Sequence, residues 1–450
     1  MQHSPIPEPR GYPLVGNLPE FKKNPLDCMS RWHRDYGDIV GFRLGPQKVY
    51  LLSHPDLVEQ ALIEQQDIFV KMYDPQKPKG LQLVLGQGLV TSKGALWQQQ
   101  RRLLQPVFQR RNVVTLLPQM AAAGTQLIQR WQGLALGSEV EIPAEMLRLT
   151  LEVLTRTMFS TSVLDRVDVI APALDTCLRY AASSFMNPLS PPLWFPSGGN
   201  RKFKRALATL DAVIYRMIDE REASNESHDD LLSLLLNSAD PETGAGMSRR
   251  QLRDEMITIF TAGHETTANV MTWTLYYLAR HPEVMSKLKA ELKEVLNGAI
   301  ATNEQLDQLP YTRAVLFEAM RMRPPAALLI RKIERDTCLK DYELKAGSLA
   351  MFSIYNIHHH PELWEKPENF DPERFIDNKI SKYTFFPFGI GSRFCIGNQF
   401  ATLELTLLLS MLAQHFDFSL CSKQEPEIDM VVTIRPKGGL KLRISPFVNS

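Results

Sequence analysis

One cysteine of this chain stands where a thiolate can be held. Cys395 lies in Phe388-Gly-Ile-Gly-Ser-Arg-Phe-Cys-Ile-Gly397 and is followed at once by the helix-forming run 398–410. A turn that delivers a sulfur to a helix start surrounds it with backbone N–H groups and the positive end of the helix dipole. Gly391 lets the chain turn without a Cβ, Gly397 lets backbone donors approach the sulfur, and Arg393 sets a fixed cation two residues away. A cysteine without such surroundings is most often a small buried apolar residue, whereas a metal thiolate uses all three features to stay deprotonated and hydrogen-bonded. The other cysteines, Cys28, Cys177, Cys338 and Cys421, form no CxxC pair, which argues against an iron–sulfur cluster or a structural zinc. One protein sulfur makes the iron of haem its natural partner.

A second oddity sits inside the longest helical pattern. Ala262-Gly263-His264-Glu265-Thr266-Thr267 follows the apolar run 256–260 with a glycine, an acid and two hydroxyls. The glycine costs roughly 0.5–1 kcal/mol relative to alanine in a helix, so stability does not select this string. A small-residue step lets a flat ligand lie against the helix, and threonine back-bonding leaves a carbonyl free for water; the competing reading is a polar patch on a surface face. Glu318 and Arg321 stand three apart on one helix face, ordinarily a solvated pair worth little, and Arg374 follows in Pro372-Glu373-Arg374-Phe375. His358-His359-His360 cannot all reach one ion from regular structure, and Pro361 to Trp364 reads as a loop before a short helix.

Phe388-x-x-Gly391-x-Arg393-x-Cys395-x-Gly397 resembles the haem-binding signature of the cytochromes P450 at every fixed position. Ala262-Gly263-x-Glu265-Thr266-Thr267 resembles the oxygen-activation motif of the same family. The resemblance implies haem b with Cys395 as its axial thiolate, held between the long central helix, at Ala262 and Gly263, and the cysteine loop and helix. It implies that Thr266 hydrogen-bonds dioxygen or a water beside it while Glu265 feeds protons toward it. Heterolytic O–O cleavage needs two protons at the distal oxygen and the exclusion of bulk water. Glu318, Arg321 and Arg374 would form a buried charge triad that locks a helix to the loop before the cysteine. The two haem propionates need cations once buried, and Arg suits bidentate carboxylate capture. Trp97 and Arg101, four apart on one helix, are expected to hold them together with Arg393, and Arg331 resembles a further contact; core packing is the competing role for Trp97.

These residues need a mostly helical scaffold. Apolar periodicity predicts helices over 55–65, 96–107, 112–134, 144–159, 165–185, 200–223, 229–237, 248–280, 282–297, 312–322 and 398–415. A hairpin is predicted for 38–44 and 48–53 across Gly45-Pro46-Gln47, and a strand for 327–332. Ser248 and Gln251 form a capping box, and His281-Pro282 ends a helix roughly 50 Å long, enough to cross a domain. The polar stretches 224–227 and 239–246 read as loops, and Pro5, Pro7, Pro9 and Pro13 as an extended segment before the globular part. The expected fold is mainly α with small β-sheets, the cytochrome P450 fold, in a single haem domain over 1–450.

Composition sets bounds on function. The 450 residues are 44% hydrophobic and 22% charged, ordinary for a globular protein with room for a deep apolar cavity. Fifty-one basic against fifty acidic side chains leave a net charge of +1, so nothing steers the chain toward nucleic acid. Apolar runs such as 325–330 are far shorter than the ~20 residues of a transmembrane segment. Scattered cysteines and the lack of a signal peptide are read as a soluble, cytoplasmic protein. Microsomal members of the family carry an anchor before a proline-rich segment of this kind, and none precedes this one, which leaves a bacterial protein or one trimmed of its anchor.

The expected activity is hydroxylation of an apolar small molecule with O2 and two electrons. The chain ends soon after Cys395, so a separate ferredoxin or flavodoxin and its reductase are expected, docking on a basic face near Arg101, Arg102, Arg110 and Arg111. By resemblance the substrate meets 72–89, 185–195, 260–266, 326–329 and 431–434. Leu81, Leu83, Val84, Leu85, Met186, Leu189, Leu193, Trp194 and Phe195 make these segments apolar, and Lys71, Lys77 or Lys79 could anchor a carboxylate. A fatty acid is the first expectation and a terpenoid-like lipid the second. The rivals are a haem-thiolate isomerase or peroxygenase, which tends to lose the acid–alcohol pair, a noncatalytic haem-based sensor, and a cysteine hydrolase, for which no base or nucleophile elbow stands beside Cys395.

Overall fold

A computed structural model of the chain describes residues 4–186, 191–224, 228, 230–238, 246–376 and 379–446. Its axis is the helix Arg249–Arg280. Ser248 and Gln251 exchange side-chain and backbone bonds at its start, and Pro282, which begins the next helix Pro282–Val295, follows its end. The helix is buried on nearly every side, as a helix sunk in the core is, although Arg253, Asp254, Glu255, His264, Glu265 and Asn269 are among its buried residues. Ile142–Phe159, Gly198–Ala223, Pro310–Met322 and the cysteine helix Asn398–His415 pack around it.

A five-stranded sheet lies to one side, in the order Ile39–Leu44, Gln47–Leu52, Leu349–Ser353, Leu328–Ile333 and Phe69–Val70. Gln47–Leu52 runs parallel to Leu349–Ser353, and the other pairs are antiparallel. A second apolar cluster beneath this sheet joins Leu52, Phe69, Ile333 and Phe352 to Phe386 and Ile390, so the sheet carries Arg331 and backs the cysteine loop at once. The ribbon Ile428–Met430 with Ile434–Pro436 turns at 431–433, and the Ile434 N–H donates to the Pro325 carbonyl (3.0 Å).

Several boundaries depart from periodicity for local reasons. The helix expected over 112–134 is two, Arg110–Val114 and Leu117–Gln132, because Pro118 sits in the first turn of the second. The helix over 55–65 is Pro55–Glu59 followed by a wider π turn, Gln60–Glu64. Beyond the prolines, the N-terminal segment adds Leu18–Lys23 and Pro25–Tyr36, which bury Phe21, Met29 and Trp32 in the main core. The helix expected from 229 is described as Leu231–Leu236, with the Asp230 carboxylate accepting from the Ser233 N–H. Of the expected loops, 225–227 and 239–245 lie outside the described residues.

Candidate functional site

The cysteine loop is closed by its own backbone. The Cys395 N–H donates to the Phe388 carbonyl (2.9 Å) and the Phe394 N–H to that of Gly391 (3.0 Å). Gly391 has φ +73, and a Cβ there would meet the Leu62 carbonyl oxygen at 2.6 Å, so conformation and space both require glycine. Gly397 differs: it is the N-cap of the cysteine helix at φ −86, and a Cβ would lie 3.9 Å from the sulfur, an ordinary contact. Its N–H bonds the sulfur. Burial raises the Cys395 thiol pKa, offset in part by this N–H and by Arg101. The cation felt by the sulfur is thus Arg101, which corrects the expectation for Arg393. Arg393 turns away, stacks on the Trp97 ring at 3.9 Å and donates to the Ser92 carbonyl (3.1 Å). A metal at this sulfur displaces a proton when it binds.

Cations converge beside this loop. Arg101 donates to the Phe394 carbonyl (3.0 Å) and the buried Arg331 to that of Ile330 (2.9 Å). A cavity of about 330 Å³ lies among Lys71, Trp97, Arg331, Ile390 and Arg393. Among the described residues none of Lys71, Arg101, Arg331 and Arg393 has a carboxylate within ion-pair distance. Burial pulls Arg331 down to about 10, and burial with the nearby Arg331 and Arg101 does the same to Arg393. Such a set suits a dianionic ligand, and the two propionates of haem meet that demand.

On the central helix every residue from Leu252 to Leu278 is buried except Ala262, Gly263 and Thr266, and of these Ala262 is exposed and the other two half-buried. An exposed alanine in mid-core means that open space lies against this turn. Thr266 Oγ1 donates to the Ala262 carbonyl (2.8 Å), Thr267 Oγ1 to that of Gly263 (3.0 Å) and Thr150 Oγ1 to that of His264 (2.9 Å). The helix stays α through this string, so these hydroxyls occupy the carbonyls and leave none freed, contrary to the sequence expectation. Gly263 also answers to a neighbour: a Cβ there would fall 2.7 Å from Leu154 Cδ1 on Ile142–Phe159.

Glu265 points away from the Thr266 hydroxyl. Its Oε1 accepts from Thr433 Oγ1 (2.7 Å), which in turn accepts from Asn269 Nδ2 (3.0 Å), while Arg435 Nη1 approaches to 4.0 Å. Burial raises the Glu265 pKa, with Thr433 and Arg435 opposing. The carboxyl borders a cavity of about 270 Å³ with Asp175, Arg179, Asp429 and Arg435. Those four are cross-paired at 2.6 to 3.3 Å. Thr150, Thr433 and Arg435 carried no local signal of a role; only the placement of 431–434 among substrate-facing segments came near.

The structure brings Glu318, Arg321 and Arg374 together. Glu318 accepts from Arg321 Nε (2.7 Å) and Nη2 (2.8 Å), both side chains are fully buried, and Arg374 Nε lies at 3.4 Å. Arg321 also donates to the carbonyls of His358, Pro367 and Asn369, and Glu318 accepts the Asp371 N–H, which ties Pro310–Met322 to the strand of chain leading to the cysteine loop. The histidine tract does not converge on one point, in line with its sequence reading. His358 ends the helix Ile354–His358 and accepts the Phe386 N–H, while His360 meets Asp38 (3.1 Å), with His33 at 3.6 Å from the same oxygen. His360 Nδ1 accepts the Glu362 N–H, which leaves the ring proton on Nε2, facing Asp38: a hydrogen-bonded pair rather than a ligand set.

Other expected contacts scatter. Val84 and Leu85 are core residues, Trp194 and Phe195 face solvent, and Leu189 and the Met186 side chain lie outside the described residues. Lys77 and Lys79 are exposed. Arg110, also exposed, is paired with Asp307 (2.7 Å), whereas the exposed Arg102 and Arg111 have no carboxylate within ion-pair distance among the described residues.

No helix is long and apolar enough to cross a membrane among the described residues. Comparison with known proteins agrees with the geometry. The family model for cytochrome P450 matches residues 6–442. The chain is 34% identical to cyclooctat-9-en-7-ol 5-monooxygenase of Streptomyces melanosporofaciens, over 91% of this chain and 88% of that one. It is 30% identical to pentalenene oxygenase of Streptomyces avermitilis, over 97% and 96%. It is also 32% identical to bifunctional cytochrome P450/NADPH–P450 reductase 2 of Bacillus subtilis, covering 99% of this chain but 43% of that protein. A cysteine loop closed on its own backbone, unmatched cations beside it and an opened turn in a buried helix thus meet a family match over nearly the whole length: the chain belongs to the cytochrome P450 family and is a haem-thiolate monooxygenase of an apolar substrate.

Proposed function

We propose that Cys395 is the axial thiolate of haem b, that Arg101, Arg331, Arg393 and the Trp97 N–H hold its propionates, and that Ala262 and Gly263 present the small-residue turn against which it lies. Phe388, Gly391 and Gly397 shape the loop that delivers the sulfur. The bound haem supplies dioxygen activation for insertion of one oxygen atom into an unactivated C–H bond. The observation that carries the reading is the exposure of Ala262 and part-exposure of Gly263 and Thr266 within a helix otherwise buried from Leu252 to Leu278. The Thr266 hydroxyl, resting on the Ala262 carbonyl, borders that space and can turn to donate into it. Glu265 keeps its proton to higher pH than a free carboxylate, and takes it from the ionic cavity of Asp175, Arg179, Asp429 and Arg435. In this reading the helix has Glu265 toward the ionic cavity on one side and Thr266 toward the space beside Ala262 on the other. Residues 1–450 act as one haem domain in this reading.

The substrate is a cyclic terpenoid-like lipid. Half-buried apolar side chains at Leu328, Leu329, Val431 and Val432 support this, as do the substrates named in two of the relatives. Lys71 supports a second reading, a fatty acid held by its carboxylate, since it lies against the cation-rich cavity. Electrons come from a separate ferredoxin or flavodoxin and its reductase, docked near Arg102 and Arg111, and the protein works in the cytoplasm, a reading supported by cysteines scattered along the chain without a CxxC pair. Two spectra test the whole. The reduced carbon-monoxide complex should show the thiolate band and lose it in Cys395→Ser; retention of that band would end the ligand assignment. Cyclic terpenes should shift the spin state at lower concentration than fatty acids do, and the reverse order, abolished by Lys71→Met, would favour the second reading.

A further inference from the structure

Arg253, Asp254 and Glu255, three consecutive residues near the start of the central helix, are ionisable and buried, and the chemistry described above uses none of them. Each grips a different part of the chain that leads to Trp97. Arg253 Nη1 donates to the Val84 carbonyl (2.8 Å) in the short helix Gln82–Leu85, and Nη2 pairs with Asp211 (2.6 Å) on Gly198–Ala223. Asp254 Oδ2 accepts the Gln87 N–H (2.9 Å), and Oδ1 accepts from Arg253 (2.9 Å). Glu255 Oε2 accepts the Leu89 N–H (3.1 Å).

The loop is shaped to this seat. Gly86 adopts φ +56, a Cβ there would fall 2.1 Å from Asp254 Oδ2, and one at Gly88 would fall 2.1 Å from Thr258 Oγ1. No side chain fits between loop and helix at either point. The far end of the loop continues into the cation cluster. Gln100 Nε2 donates to the Gln87 carbonyl (2.8 Å), the Ser92 hydroxyl donates to Gln100, and the Ser92 carbonyl accepts from Arg393 (3.1 Å). Burial raises the Glu255 carboxyl to about 8, so near neutrality a neutral acid accepts the Leu89 bond and an amide can replace it.

We propose that Asp254 and Glu255 are positioning residues for substrate selection: they dock residues 86–89 on the central helix and so fix the wall those residues present to the substrate relative to the Arg393–Trp97 stack. A loop held at both edges by buried acceptors keeps one geometry without substrate, and that preorganisation is what tight, regioselective binding requires. The inference rests on the reading of 72–89 as substrate-facing.

The test uses the haem-loaded full chain and compares Glu255→Leu, which removes the acceptor, with Glu255→Gln, which keeps it. Amide hydrogen exchange at Leu89 reads the docking, and spin-state titration with a cyclic terpene together with the product ratio reads selection. Glu255→Leu should speed Leu89 exchange at least tenfold, weaken substrate binding at least tenfold and alter the product ratio, with the carbon-monoxide band of the reduced protein unchanged. Glu255→Gln should restore all three. Asp254→Ala, read at Gln87, makes the same comparison should Glu255→Leu not retain haem. Unchanged exchange would overturn the docking itself. Faster exchange with unchanged binding and products would overturn selection and show that the loop does not face the substrate, leaving the docking intact.

Discussion

Truncating Glu318 should cripple the protein without touching the haem loop. Glu318 and Arg321 are both 0% exposed, and the carboxylate takes two Arg321 bonds, at 2.7 and 2.8 Å, and the Asp371 N–H at 2.9 Å. In Glu318→Ala the guanidinium keeps its three carbonyl partners, at 2.8, 2.8 and 3.0 Å, but loses its counter-charge. Stranding one member of a buried pair costs about 3–5 kcal/mol, and the orphaned Asp371 N–H adds about 1 kcal/mol. Against a total stability of about 5–15 kcal/mol this is a large fraction. The assay is guanidinium unfolding followed by tryptophan fluorescence and by haem absorbance, compared as midpoints because a bound cofactor breaks two-state behaviour. Three variants separate the causes. Glu318→Gln retains an acceptor for Asp371 and should recover only about the smaller term, whereas Glu318→Leu with Arg321→Met, which removes both charges, should recover more than half of the loss. A Glu318→Ala protein that takes up haem fully and loses less than about 1 kcal/mol would refute the reasoning.

Arg331→Gln should raise the rate of haem transfer to an apoglobin acceptor at least tenfold, because a buried cation facing the propionates is removed; an unchanged rate would exclude Arg331 from the set. Gly263→Ala should lower the melting temperature, since driving a methyl into Leu154 costs about 1–3 kcal/mol against a helix-propensity gain of at most about 1 kcal/mol, and adding Leu154→Ala should relieve the clash; a more stable single variant would contradict this. Glu255, raised to about 8 in the fold from its usual value near 4.5, contributes no penalty below pH ~4.5, where folded and unfolded states are both protonated. Between pH ~4.5 and ~8 only the unfolded state ionises, so stability falls with rising pH by at most about 1.4 kcal/mol per pH unit, and Glu255→Gln should match the wild type at low pH and exceed it increasingly toward pH 8. Parallel pH curves would refute that assignment. Glu265→Gln should slow product formation ~10²-fold or more with an unchanged spin-state binding constant, and equal losses in both would make Glu265 a structural residue.

The boundary between what was legible in the sequence and what was not follows the range of the interactions. The cysteine helix was read at its observed ends, Asn398–His415, and the central helix to its cap, because periodicity, a capping box and a terminating His-Pro are all local signals. The helix Pro25–Tyr36 was legible and missed: Asn24 caps it, Pro25 starts it, and Leu26, Met29 and Trp32 fall on one face, yet no element was assigned between the extended proline segment and the hairpin at 38. Gly263 and Gly391 were singled out as positions that want no side chain, but the atoms a Cβ would meet there, Leu154 Cδ1 and the Leu62 carbonyl, belong to other elements. The polar contacts that set the chemistry were less legible still. Thr433 meets Glu265 across 168 residues and Gln87 meets Asp254 across 167, and neither pair has a spacing that marks it. A motif names the residue that needs a partner; burial is what obliges the fold to supply one, because an unmatched acid or arginine in the core costs more than most single contacts return. The residues around the site that no motif announces, Thr150, Thr433, Arg435 and the Arg253–Glu255 run, are therefore to be sought by asking what satisfies each buried polar atom of those a motif does announce.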